Sequence, residues 1–212
     1  MLIRPAQTAD LARLAEIEAA AGERFRTLGM SAIADDAPPS PDEYESFRAA
    51  GRAWVAVDDG TEIVGTAVVG TAVVGTAVVG YLLARLVDGN AHIEQVSVHP
   101  DSARRGIGAA LIEAVEEWAH GHGLAALTLT TFADVPWNAP YYARLGFVEL
   151  AVSEWGLELT ALVGAEEAHG LTRWPRVVMH RPLATGDDPP ERDQAKHRSR
   201  AGRPSLQSPQ RP

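Results

Sequence analysis

The 212-residue chain contains no cysteine. That excludes disulfides, thiolate metal sites and a cysteine nucleophile. Of its 19 basic residues only Lys196 is a lysine, and the formal net charge of -9 disfavours nonspecific binding to nucleic acid. The opening Met1-Leu2-Ile3-Arg4-Pro5 lacks the apolar run of a secretory signal, so a cytoplasmic protein is expected. The histidines lack metal-ligand spacing: His120 and His122 fall at a helix end, and His169 and His180 have no partners. No metal is expected, and no nucleophile–base–acid triad is visible.

Forty-six per cent of the residues are hydrophobic, a globular share. The length suits one domain over 1–183. The remaining residues, 184–212, are polar and proline-rich and read as a disordered tail, with six basic residues against four acidic. Residues 63–84 carry no charge over 22 positions, long enough for a membrane span. Their Val, Thr, Ala and regularly spaced Gly suit extended chain better than helix, so no membrane partner is expected.

That stretch holds a repeat. Thr-Ala-Val-Val-Gly occurs at 66–70, 71–75 and 76–80, preceded by the diverged unit Thr61-Glu62-Ile63-Val64-Gly65. Fifteen added strand residues would extend about 50 Å, too far for the neighbouring strands to pair with. The insertion, 61–80, is therefore expected to loop out of the third strand or to pair with itself, and tandem duplication in DNA is its simplest origin.

Strands are predicted at Leu2-Ile3-Arg4, 53–57, 81–87, 92–98, 125–131, 147–153 and 176–180 from short apolar runs bounded by turn residues. Helices are predicted after an N-cap at Thr8, near Pro41, and over 106–120, 139–145 and 157–169. The order is that of an α/β (α+β) domain.

Two constellations carry chemistry. In the first, Glu94-Gln95-Val96-Ser97-Val98 leads through His99-Pro100 to Arg104-Arg105-Gly106-Ile107-Gly108-Ala109. Glycines at a helix start let the backbone approach an anion, the free N–H groups and helix dipole hold a diphosphate, and the two arginines add charge-assisted bonds. The second is Trp137-Asn138-Ala139-Pro140-Tyr141-Tyr142-Ala143-Arg144-Leu145-Gly146-Phe147.

Together and in this order the two resemble the GNAT superfamily of N-acetyltransferases over roughly residues 1 to 183. Gly106 and Gly108 match the small positions of its Gln/Arg-x-x-Gly-x-Gly/Ala motif, while Ala103 departs from it. Arg105, Gly108 and Ala110 match the same motif in a shifted frame. Tyr142, Gly146 and Phe147 match Tyr-x-x-x-Gly-Phe. The resemblance implies a three-layer sandwich, with a central mixed, mainly antiparallel sheet flanked by helices. It also implies acetyl-CoA as cosubstrate, with its diphosphate on the 104–109 amides and its pantetheine arm along Val96, Ser97 and Val98. Asn138 either caps its helix or contacts that arm.

The implied activity is transfer of an acetyl group to a primary amine on a small molecule or peptide. An alkylamine has a pKa of about 10 and needs a base to take its proton. Strand alternation puts His92, Glu94, Val96 and Val98 on one face. Glu94 is the favoured base, with His92 its rival or relay partner, and Gln95 and Ser97 point away. The N–H near Val98 would meet the developing oxyanion, and Tyr142 would protonate the departing thiolate. The acceptor site is expected between the first two helices, their loop and the segment from Trp155 to Trp174, where Glu18, Glu23, Asp35 and Asp36 could attract an ammonium. A non-catalytic acyl-CoA binding module is the alternative, and a homodimer stays open.

Overall fold

The computed structural model describes residues 1–58 and 77–183. The elements run β1 (Leu2–Pro5), α1 (Leu11–Gly22), α2 (Ser31–Ala34), α3 (Pro41–Ala49), β2 (Ala53–Asp58), β3 (Ala77–Val87), β4 (Asn90–Val98), α4 (Ile107–Gly121), β5 (Ala126–Phe132), α5 (Ala139–Arg144), β6 (Val148–Glu149), α6 (Leu157–Ala168) and β7 (Arg176–Pro182). The strands form one sheet in the order β1-β2-β3-β4-β5-β7-β6. Every neighbouring pair is antiparallel except β4 and β5, which run parallel around the α4 crossover.

Helices cover both faces. On one, Ile107, Leu111 and Val115 of α4 pack on Trp54, Ala56, Leu82 and Ala84. Their spacing of four is one face of a 3.6-residue helix. On the other, Leu14 and Ile17 of α1 and Tyr44 and Phe47 of α3 pack on Val55, Val57, Tyr81 and Leu83. The alternation of Leu82 with Tyr81 and Leu83 thus feeds two cores, giving the three-layer sandwich. Among the described residues, no helix is long and apolar enough to cross a membrane.

Local chemistry sets the helix starts. Ser40 caps α3: its hydroxyl accepts from the Glu43 N–H, the Glu43 carboxylate accepts from the Ser40 N–H at 2.8 Å, and Pro41 opens the first turn. Thr8 does not cap α1. It begins a 3-10 turn, Thr8–Asp10, and the Asp10 carboxylate accepts from the Gln7 N–H at 2.7 Å while pairing with Arg4. The strand expected over 147–153 is shorter, because after Val148–Glu149 the chain turns into a 3-10 segment, Val152–Glu154.

Two departures lie in β3 and β4. The last repeat unit does not loop out: residues 77–80 belong to β3, with Asp58 facing Ala77, Val57 facing Val78 and Gly80 facing Val98. The expectations for residues 61–76 and for the 184–212 tail lie outside the described residues. In β4, Leu83 faces Gln95 and Ala84 faces Ile93, so Glu94 is the extra residue of a β-bulge. The bulge reverses the alternation. Ala91 and Ile93 share the α4-side core with Val96 and Val98, and His92 falls on the opposite face.

Candidate active site

The ladder between β4 and β5 holds three pairs: Ala91 with Leu127, His92 with Thr128 and Ile93 with Leu129. Beyond them the strands part. Val96 and Val98 on one side and Thr130 and Phe132 on the other line a cavity of about 980 Å³. The antiparallel partners of β4 lie on its β3 side, so its edge from Glu94 onward faces the cavity.

One end of the cavity is the 104–109 turn. Arg104 has φ 64 and Gly106 φ 78, and Gly106 is the N-cap of α4. Ala103 N–H donates to Pro100 and Ala110 N–H to Gly106. Between them, among the described residues, no carbonyl accepts from the amides of 104–109. Unpaired amides at the first turn of a fifteen-residue helix form an anion-binding concavity. A β-carbon on Gly108 would stand 2.9 Å from the Tyr141 hydroxyl, so the turn and α5 are in close contact. Arg104 lines the cavity, whereas Arg105 turns away and pairs with Asp58 at 2.7 Å. The left-handed residue at Arg104 aims the two neighbouring side chains differently.

Glu94 lines the cavity with its side chain 31% exposed. Arg85 holds both its oxygens, at 2.7 and 3.0 Å. Loss of water around it raises the carboxyl above the usual range against the pull of that guanidinium. His92 differs on each count. It is 1% exposed, is not on the cavity wall, and its Nδ1 lies 3.0 Å from the Thr128 hydroxyl. Burial, and then the charge of Arg85, push its pKa down to about 4. The bulge at Glu94 therefore removes the shared face on which His92 was expected to act.

Tyr142 packs at 5.8 Å on Phe147 and lines the cavity, and burial raises its phenol above the ordinary value. Tyr141 lines it too. Asn138 sits at the N-cap position of α5, but its side chain does not cap; its amide donates to Thr131 at 2.8 Å, across to β5. The rest of the cavity wall comes from α1, the α2 region and the end of α6, with Glu18, Phe25, Ile33, Asp36, Glu166 and His169; Glu23 and Asp35 pair with Arg26 instead. Trp155 and Trp174 line a separate cavity of about 290 Å³ instead.

Sequence reasoning missed one cluster. Glu18 accepts from the Tyr81 hydroxyl at 2.5 Å, from Ser97 at 2.6 Å and from the Gln95 amide at 2.8 Å. Gln95 and Ser97 reach it because they alternate with Val96 and Val98 beyond the bulge. The sequence marked Glu18 only as one of four acids that could attract an ammonium. Among the described residues, no three His, Asp or Glu side chains come together as a metal would require.

A family model described as "Acetyltransferase (GNAT) family" matches residues 22–147. Solved structures share the fold. The ribosomal-protein-S18-alanine N-acetyltransferase of Escherichia coli is 19% identical over 87% of this chain and 94% of its own, with a TM-score of 0.54. Rv2747 from Mycobacterium tuberculosis, solved with CoA, is 18% identical over 87% of this chain and 100% of its own, with a TM-score of 0.57. A GCN5-related N-acetyltransferase from Rhodopseudomonas palustris is 24% identical over 86% of this chain and 95% of its own, with a TM-score of 0.54.

Proposed function

The chain belongs to the GNAT family of acetyltransferases, and on that premise we propose that it transfers an acetyl group from acetyl-CoA to a primary amine, with Glu94 as general base and Tyr142 as general acid. The observation that carries this reading is the set of unpaired amides over 104–109, set across a cavity from the parted edge of β4. The turn fits a diphosphate: it offers several N–H donors, a helix N-terminus and the Arg104 guanidinium. Gly106 at φ 78 favours the frame in which Gly106 and Gly108 are the motif's small residues, so Ala103 replaces a side chain rather than a backbone donor.

The cosubstrate supplies an activated acyl group. The protein's part is to place the amine, take a proton from it and give one to sulfur. The β4 edge at Val96 and Val98 would hold the arm, and an N–H there would meet negative charge developing on the acyl oxygen. As the C–N bond forms and the C–S bond breaks, the amine proton passes to Glu94. Its raised carboxyl makes it a better acceptor than an ordinary carboxylate. The Tyr142 phenol, held protonated by burial, has a proton to give the thiolate. His92 is buried behind Thr128 and is left out of this scheme. The protein's setting is proposed to be cytoplasmic.

One observation favours a second reading, a non-catalytic acyl-CoA binding module: Arg85 occupies both oxygens of Glu94. Thiol release with an amine panel separates the two. Glu94→Gln is expected to lower kcat about a hundredfold and to remove the acidic limb of the rate profile, and Tyr142→Phe to lower kcat less. Coenzyme A binding without thiol release from any amine would establish the module.

A further inference from the structure

The carboxylate of Glu18 lines the cavity, and among the described residues no cationic side chain pairs with it. Its three partners, Tyr81, Ser97 and Gln95, are neutral donors. A half-buried carboxylate held this way keeps one of its roughly four acceptor directions unused, and a charge removed from bulk water is stabilised chiefly by an opposite charge. The cations nearby are engaged elsewhere. Arg85 is bound to Glu94, Arg176 to Glu166 at 3.0 Å, and Arg24 lies over the Trp137 ring at 4.2 Å. The same cavity has an apolar stretch of wall. Phe25 stacks edge-on against Phe132 at 5.7 Å and Trp137 at 5.6 Å, and Phe25, Ile33 and Trp137 keep partly exposed faces on the cavity.

We propose that Glu18 selects the acceptor: its carboxylate, oriented by Tyr81, Ser97 and Gln95, seats the positive charge of an amine whose apolar body lies against Phe25, Ile33 and Trp137, and it repels acceptors that carry a carboxylate. This rests on the acetyl-transfer reading and narrows its substrate class to apolar or aryl-bearing amines without an acid group. Glu18 is a specificity residue here. Proton removal stays with Glu94: it takes one proton from the seated ammonium, freeing the lone pair, and returns it to solvent before it takes the second as the amide forms.

The test compares 2-phenylethylamine with ethylamine, which lacks the body, and phenylalanine, which adds a carboxylate. The wild-type protein is expected to favour 2-phenylethylamine over both by about tenfold in kcat/KM. Glu18→Gln keeps the shape and is expected to raise KM for that amine about tenfold, with kcat within about twofold. The melting temperature and coenzyme A affinity should stay as in the wild type, as a merely structural role for Glu18 would not allow. Phenylalanine preferred over 2-phenylethylamine, or KM unchanged in Glu18→Gln, overturns the proposal. So does a fall in kcat with a displaced pH profile, which would make Glu18 the base. Calorimetry of 2-phenylethylamine with the CoA-saturated protein reads the seat without turnover. Binding lost in Glu18→Gln supports it, and equal binding overturns it. Binding of that kind with no thiol released from any amine would remove the transferase reading and leave the seat standing.

Discussion

His92 and Glu94 are two positions apart, yet the β-bulge between them gives each a different solvent. His92 is enclosed beside Thr128 with its pKa pushed down to about 4 from an ordinary 6.5. The unfolded chain therefore binds a proton there before the folded one does. Its contribution to stability is complete above pH 6.5 and is lost as pH falls toward 4, on the order of 3 kcal/mol over that window. A series of melts from pH 7.5 to 4.5 should show His92→Leu falling less steeply than the wild type, since leucine has no proton to bind. Equal slopes would mean that the ring is solvated. The Glu-or-His choice was legible in the sequence only as a pair, because period-two alternation assumes an unbroken register. A bulge is set by how β4 pairs with β3, and nothing in residues 90–98 alone announces it. Glu18 was legible only as one of several acids near the acceptor side; its contacts with Tyr81, Gln95 and Ser97 were not, because they depend on how α1 packs across β3 and β4.

At the scale of elements, the turn into α4 was the most readable part of the chain. Gly106 and Gly108 at the head of an apolar stripe of Ile107, Leu111 and Val115 imply a helix whose first turn stays open, and the structure has that form. Gly106 sits at φ 78, where a side chain is strained, while no atom crowds its missing β-carbon. Gly106→Ala is therefore expected to cost about 1 kcal/mol from backbone strain alone and to weaken coenzyme A binding as the amides turn. Chemical denaturation and calorimetry read the two effects separately. The short β6 was not readable. Leu150 still donates to the Val178 carbonyl, but Glu154 then accepts from the Ala151 N–H at 3.2 Å and draws the chain into a turn. That competition depends on β7, which is distant in sequence.

For the whole molecule, composition and element order carried the layered architecture, because helices flanking a sheet need apolar residues on both sheet faces, and β3 supplies them through Leu82 and Ala84 on one side and Tyr81 and Leu83 on the other. The fate of the repeat was not carried, since identical units offer no means of telling which one enters the sheet. The last one does. Gly80 is the residue that closes it: a β-carbon there would stand 3.1 Å from both the Ile107 side chain and the Ser97 carbonyl, against the segment that lines the cavity. Removing residues 66–75 leaves every described contact of β3 in place. That variant is expected to melt within about 3 °C of the full chain, since it removes no described contact of the sheet, and to bind coenzyme A equally. A large drop in either would show that the preceding copies support the sheet.

The unit that completes β3 is spelled like its two predecessors, Thr-Ala-Val-Val-Gly each time. Slippage of the gene by one copy would then lengthen or shorten the protein by five residues while handing the sheet the same letters at its boundary.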